Sequence, residues 1–153
     1  MSPYFLDSSA LAKRYMTETG SPWIRALAVR SAGSIIVSEI TLAEVANAFA
    51  KRHRVGGLTR QERDNALKVF LDHCKTDYTP MPVTRSIIDR AVILTQTHTL
   101  RAYDAVQLAT ALEADLTVTA GGLNGLTFVA SDNALLVAAT VEGLLIDNPL
   151  SHP

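Results

Sequence analysis

Three times along this chain a short apolar run stops at a carboxylate or hydroxyl and gives way at once to a helix-forming stretch. Tyr4-Phe5-Leu6 ends in Asp7, ahead of Ser8-Ser9-Ala10-Leu11. Ile35-Ile36-Val37 ends in Ser38, ahead of the helical stripe Leu42, Val45, Ala46 and Phe49. Leu126-Thr127-Phe128-Val129-Ala130 ends in Ser131-Asp132, ahead of a helical pattern over 134–141. Apolar runs with no polar alternation are buried on both faces, and short strands alternating with helices make a parallel sheet. The expected fold is therefore a single α/β domain over residues 1–150, its mainly parallel sheet flanked by helices on both faces, an α/β/α arrangement.

The intervening chain fills in the helices. Residues 8–15 read as helical. Ser21 caps a second helix with Pro22 at its first position, placing Trp23, Ala26 and Leu27 inward. Thr41 reads as the cap of the next, with Glu44 as the reciprocal partner of a capping box. That helix ends in Lys51-Arg52-His53-Arg54 and Gly56-Gly57, cations at the negative helix terminus followed by breakers. Thr59 and Glu62 make a second capping box for a helix to about residue 75, with Leu67, Phe70 and Leu71 inward. Residues 78–83 are extended and interrupted by proline, which suits a sheet edge. Residues 84–96 are helical with Ile87, Ile88, Ala91 and Leu94 inward, and Ala-rich 102–112 makes a helix narrow enough to lie close on a sheet. Residues 116–120 read as a short strand, Gly121-Gly122-Leu123-Asn124-Gly125 as a loop, and 144–147 as the last strand.

Composition excludes some classes. With 48% hydrophobic and 19% charged residues the chain is globular, and no apolar run approaches the roughly 18 residues of a membrane span. No basic leader precedes the first apolar run, and the single cysteine, Cys74, cannot form an internal disulfide. Both point to the cytoplasm. The net charge of −1 gives no reason to expect nucleic acid, and its distribution allows such a partner without demanding one. All 14 Lys and Arg, with nine of the 15 acids, lie in residues 1–101, a net +5, whereas 102–153 carry six acids and no Lys or Arg, a net −6. A basic surface facing an acidic pocket would divide charge this way.

Asp7 and Asp132 each follow a strand, and Glu44 and Asp104 each fall near a helix start. In a parallel sheet these junctions share the carboxyl edge, where open α/β folds bind ligands. Each acid has a plain explanation as a cap or a first-turn charge favoured by the helix dipole. If the four converge, their mutual repulsion calls for a hard cation such as Mg²⁺ or Mn²⁺, with phosphodiester hydrolysis the natural chemistry. The four His residues show no metal spacing. Trp23 and Tyr15 lie on amphipathic faces and read as packing residues.

The set Phe5-Leu6-Asp7-Ser8-Ser9-Ala10-Leu11, Ser38-x₅-Glu44, Leu100-Arg101-Ala102-Tyr103-Asp104-Ala105 and Val129-Ala130-Ser131-Asp132 closely resembles PIN domains, most of all the VapC toxins of toxin–antitoxin pairs. The resemblance implies a Mg²⁺- or Mn²⁺-dependent endoribonuclease, a homodimer, and inhibition by a VapB-like antitoxin. Carried over by motif, Asp7 and Asp104 would be the principal metal ligands and Glu44 and Asp132 would complete a catalytic cluster. Ser8, Ser131 and Asn133 would be supporting hydrogen-bond partners. Arg101, Lys13 and Arg14 are candidate RNA contacts, with Lys51, Arg52 and Arg54 behind them. The helical hairpin over 41–75 is the expected partner surface, with Phe49 and Phe70 as its probes. The stretch 116–125 is longer and richer in glycine than the family's usual connector. A non-toxin PIN nuclease and a non-catalytic PIN-like RNA- or protein-binding module are the alternatives. A haloacid-dehalogenase-like phosphatase is disfavoured, because Ser9 stands where its second acid belongs.

Overall fold

The computed structural model describes residues 2–153. Five short strands, β1 (Tyr4–Leu6), β2 (Ile35–Ser38), β3 (Tyr78–Met81), β4 (Thr127–Val129) and β5 (Leu145–Asp147), form one sheet in the order β3-β2-β1-β4-β5. Every pairing is parallel, with Phe5 opposite both Ile36 and Phe128. The helices are α1 (Ser8–Ala12), α2 (Ser21–Arg30), α3 (Ile40–Arg54), α4 (Arg60–Thr76), α5 (Arg85–Thr97), α6 (Ala102–Ala120) and α7 (Asn133–Val141), with a final 3₁₀ turn at Pro149–Ser151.

The period-2 alternation of strand side chains divides the core in two. Phe5 and Phe128 point to one face, stacked at 5.7 Å, and are covered by α5, α6 and α7. Leu6, Ile35, Val37 and Val129 point to the other, under α1, α2, α3 and α4. Phe5 and Leu6 are both fully buried, so β1 is apolar on both sides; each such side chain contributes about 2 kcal/mol of burial energy. β1 is also the strand from which the chain builds outward in both directions, toward β2 and toward β4. That reversal opens a crevice at its carboxyl end.

Several local expectations give way to tertiary context. Residues 116–120 are the last turns of α6, not a strand. Thr117 and Thr119 satisfy their hydroxyls on the carbonyls of Glu113 and Asp115, and Asp115 Oδ1 accepts from the backbone N–H of Leu126, tying the helix end to β4. About half of the connector that looked too long is therefore helix. In α2 the inward residues are Ile24, Leu27 and Ala28, while Ala26 is exposed; Ser21 is the first helical residue, and Gly20, at φ 89°, is the cap. The first helix ends at Ala12. Leu71 and Ile88, each 39% exposed, lie at the borders of their apolar stripes. Thr59 and Glu62 do form the capping box, and β3, with Pro80, is the sheet edge.

The hairpin of α3 and α4 is present, but Phe49 and Phe70 face inward. They are 1% and 0% exposed and pack edge-on against each other and against Tyr15. They are core residues and cannot be the anchors of a partner surface.

Candidate active site

Asp7 leaves β1 in extended conformation and caps α1, its Oδ1 accepting from the N–H of Ala10 at 2.9 Å and from Ser9 Oγ at 2.8 Å. It is 4% exposed. Asp7 is thus a helix cap that is also buried at the end of the central strand. Burial raises its pKa from the ordinary aspartate value to about 7. The hydrogen bonds from Ala10 and Ser9 oppose that rise, and the negative charges of Asp104 and Glu44 add to it.

Glu44 is the fifth residue of α3, not part of its first turn, and makes no cap; neither does Thr41, which is fully buried within the helix. Glu44 Oε1 instead accepts from Ser8 Oγ and from Gln107 Nε2, both at 2.8 Å. Gln107 Nε2 also donates to Thr41 Oγ1 at 2.8 Å and to Ser8 Oγ at 2.9 Å. One amide nitrogen of α6 therefore ties α1 and α3 together beneath the acids. Its Oε1 is buried with no partner, although Gln107 is only 1% exposed. Gln107 has no role in the sequence reading, and Thr41 figures there only as a cap. The signal was a lone amide within the apolar run Ala105-Val106-Gln107-Leu108-Ala109, one turn after Asp104.

Asp104, in the first turn of α6, takes Arg101 Nε on its Oδ2 at 3.3 Å, and the Arg101 side chain is otherwise 84% exposed. Asp132 is the cap of α7, its Oδ1 accepting from the N–H of Leu135. Its neighbour Ser131 reaches the cluster through a backbone N–H donated to Ser9 Oγ at 3.3 Å, and the Ser131 hydroxyl is itself buried without a partner. Asn133 is exposed. Among the described residues, no three His, Cys, Asp or Glu side chains are arranged to hold a metal ion.

Ser8, Ser9, Glu44, Asp104, Arg101 and Tyr103 line one part of an open cleft of about 1100 Å³, and Lys13, Glu18, Lys51 and Arg52 line another. Tyr103 is 63% exposed at this surface. Lys13 is buried against Glu18. Arg14 does not line the cleft. Its guanidinium clasps Asp77 Oδ2 through both terminal nitrogens at 3.1 Å and donates to the Tyr78 hydroxyl at 2.6 Å. That ties it to the loop before β3, so it is spent on the fold and is withdrawn as an RNA contact.

A buried carboxylate facing two others has two ways to relieve its charge, a proton or a cation. Asp7, Glu44 and Asp104 offer only oxygen donors, the set that suits Mg²⁺ or Mn²⁺. The residues fit such an ion in chemistry: Asp7 is buried, and the charges of Asp104 and Glu44 add to the rise in its pKa. Arg101 holds one oxygen of Asp104.

A parallel α/β/α fold with carboxylates at the central strand's carboxyl end defines a class, and the family follows from comparison. The family model of the PIN domain matches residues 4–135, and the chain belongs to that family. Among solved structures, the fold is similar to PAE2754 from Pyrobaculum aerophilum, with TM-score 0.66 and 18% identity, covering 99% of this chain and 91% of that one. It is similar to a toxin–antitoxin complex from Klebsiella pneumoniae, with TM-score 0.60 and 20% identity over 95% and 97% of the two chains. It is similar also to Mycobacterium tuberculosis VapC20, a sarcin–ricin loop cleaving toxin, with TM-score 0.61 and 16% identity over 93% and 96%. No curated protein sequence matches this chain. No described helix is long and apolar enough to cross a membrane.

Proposed function

We propose that this PIN-domain protein is a divalent-metal-dependent endoribonuclease and the toxin of a toxin–antitoxin pair. The observation that carries this reading is the buried Asp7 carboxylate at the end of β1, its pKa raised to about 7 by burial with Asp104 and Glu44 adding to the rise. Family membership and the toxins among similar folds support it. Asp7, Asp104 and Glu44 would hold Mg²⁺ or Mn²⁺, with Asp132 a further acid on the adjacent loop. The bound ion supplies positive charge to a scissile phosphodiester and acidifies water.

The chain's own residues do the rest. The α1 cap fixes the Asp7 carboxylate in the rigid centre of the sheet, so its oxygens need little reorganisation. Ser8 and Gln107 fix Glu44 Oε1 by two donated hydrogen bonds and leave Oε2 for the cleft. Arg101 lies beside Asp104 as an exposed positive charge that can turn to a phosphate oxygen when the carboxylate is taken up elsewhere. Tyr103 presents an aromatic face of the kind on which unpaired bases stack. A homodimer and a VapB-like antitoxin belong to the same proposal. The toxin–antitoxin complex among the similar folds supports the antitoxin.

The test is cleavage of RNA with Mg²⁺ or Mn²⁺ by the wild type, Asp7→Asn and Asp104→Asn. We expect cleavage that EDTA abolishes and that each substitution lowers by about 100-fold or more, as loss of a principal charge-stabilising group does. Equal activity in all three proteins would overturn the site. RNA bound but not cut by the wild type would leave a binding module in place of a nuclease.

A further inference from the structure

The cleft is acidic at one end and basic at the other. Glu44 and Lys51 both line it and are seven positions apart on α3. At 3.6 residues per turn they share a face and lie about 10 Å apart along the axis. The basic end holds an unusual balance. Glu18 serves two cations at once, its Oε1 at 3.0 Å from Lys13 Nζ and its Oε2 at 3.0 Å from Arg52 Nη2. Lys13 is only 6% exposed, deeply buried for an ammonium, and Glu18 is its sole side-chain partner among the described residues. Lys51 is exposed and has no carboxylate partner among them. Two cations thus share one anion, whose two oxygens are splayed between them as two oxygens of a phosphate would be, and Lys51 lines the same cleft unpaired among the described residues.

We propose that Lys13, Lys51 and Arg52 form a second phosphate site in this cleft. Its ligand is a backbone phosphate of single-stranded RNA that flanks the phosphate at the acidic end, and Glu18 is the resident anion that this phosphate displaces. The inference rests on the ribonuclease reading above and extends it. About 10 Å is roughly three nucleotides of a stacked strand at 3.4 Å each, fewer where the strand is extended. An acidic peptide would satisfy the basic end alone, whereas RNA carries regularly spaced phosphates along the cleft. Glu18 keeps Lys13 paired in the free protein, at the cost of competing with substrate.

The probe is a labelled, mixed-sequence single-stranded RNA of about 12 nucleotides, within the range that single-strand sites occupy. Binding is followed by anisotropy in EDTA as salt rises. Each phosphate contact adds about 0.7 to the slope of log affinity against log salt, or about 2.6-fold more loss of affinity between 50 and 200 mM. Glu18→Gln keeps the shape and removes the charge, so it should bind RNA more tightly and with a slope steeper by about 0.7. Lys51→Gln, on an exposed helix position, should flatten the slope by about the same amount. A Glu18 with a purely structural role would weaken binding when changed, so the sign discriminates. If Glu18→Gln fails to fold by circular dichroism, Lys51→Gln decides. Three equal slopes, or weaker binding by a folded Glu18→Gln, overturn the phosphate site while leaving the nuclease reading intact. No binding in EDTA also overturns it, and absence of cleavage with Mn²⁺ as well removes the nuclease reading.

Discussion

Replacing Asp7 by Asn should stabilise the metal-free protein at alkaline pH, although it removes a residue central to the site. In the folded chain the Asp7 pKa is raised to about 7, against 3.8 for an ordinary aspartate. Below pH 4 the carboxyl is protonated whether the chain is folded or unfolded, and it makes no difference to stability. Between pH 4 and 7 the unfolded chain gives up this proton and the folded chain keeps it, so stability falls as pH rises and levels off above 7. Three pKa units at 1.36 kcal/mol each amount to about 4 kcal/mol. Asparagine is as good a helix cap as aspartate, so the bond from the Ala10 N–H survives the change. For a domain of this size, 1 kcal/mol moves the melting temperature by about 2–4 °C. In EDTA at pH 8, Asp7→Asn should therefore melt roughly 8–16 °C above the wild type, with the gap closing toward zero at pH 4. Added Mn²⁺ should raise the wild type and leave Asp7→Asn nearly unmoved, because the ion would replace the missing positive charge. Thermal melts followed by circular dichroism across this pH range read all of it. A variant that melts below the wild type at pH 8, or a gap independent of pH, would refute the account of Asp7.

Two further substitutions probe the frame around the site. Gln107→Leu removes the donor shared by Ser8, Thr41 and Glu44 and strands buried acceptors, so it should cost about 1–3 kcal/mol in urea unfolding. Gly20→Ala places a methyl carbon 2.7 Å from the Pro149 carbonyl oxygen at φ 89°. It should cost about 2 kcal/mol or more by the same measurement, through both strain and displacement of the final 3₁₀ turn.

The architecture was legible because it rests on patterns with a physical period. Two-sided apolar runs require a parallel sheet, Thr59 with Glu62 forms a box whatever lies nearby, and Pro80 can stand only at an edge. What failed were readings in which a local preference met a tertiary demand. Thr117-Val118-Thr119 has β-forming composition, yet α6 continues through it because Ala111, Leu112 and Ala114 hold the preceding turn on the sheet. Glu44 looked like a cap because it follows Thr41 by three, but the helix begins a residue earlier and both side chains turn to Gln107. Burial raises the Asp7 pKa and the charges of Asp104 and Glu44 add to the rise, while Asp132 caps α7 on the neighbouring loop. Arg14 illustrates the limit of reading charges singly. Nothing in its local sequence announces Asp77 and Tyr78, which the topology brings to it.

The strand order has a consequence for how the molecule is made. β1 is the first strand synthesised, yet one of its two edges stays bare until β4 arrives, Phe5 pairing with Phe128. A chain emerging from the ribosome at about 5–20 residues per second carries that unpaired apolar edge through most of its synthesis. Asp104, on α6, is also made late. Any activity housed in the cleft is thus withheld from nascent chains and from fragments broken off before β4. An exposed early edge is equally a place where holding factors or misassembly can intervene. Pulse proteolysis of stalled chains ending before and after residue 129 would show protection of β1 appearing only in the longer set.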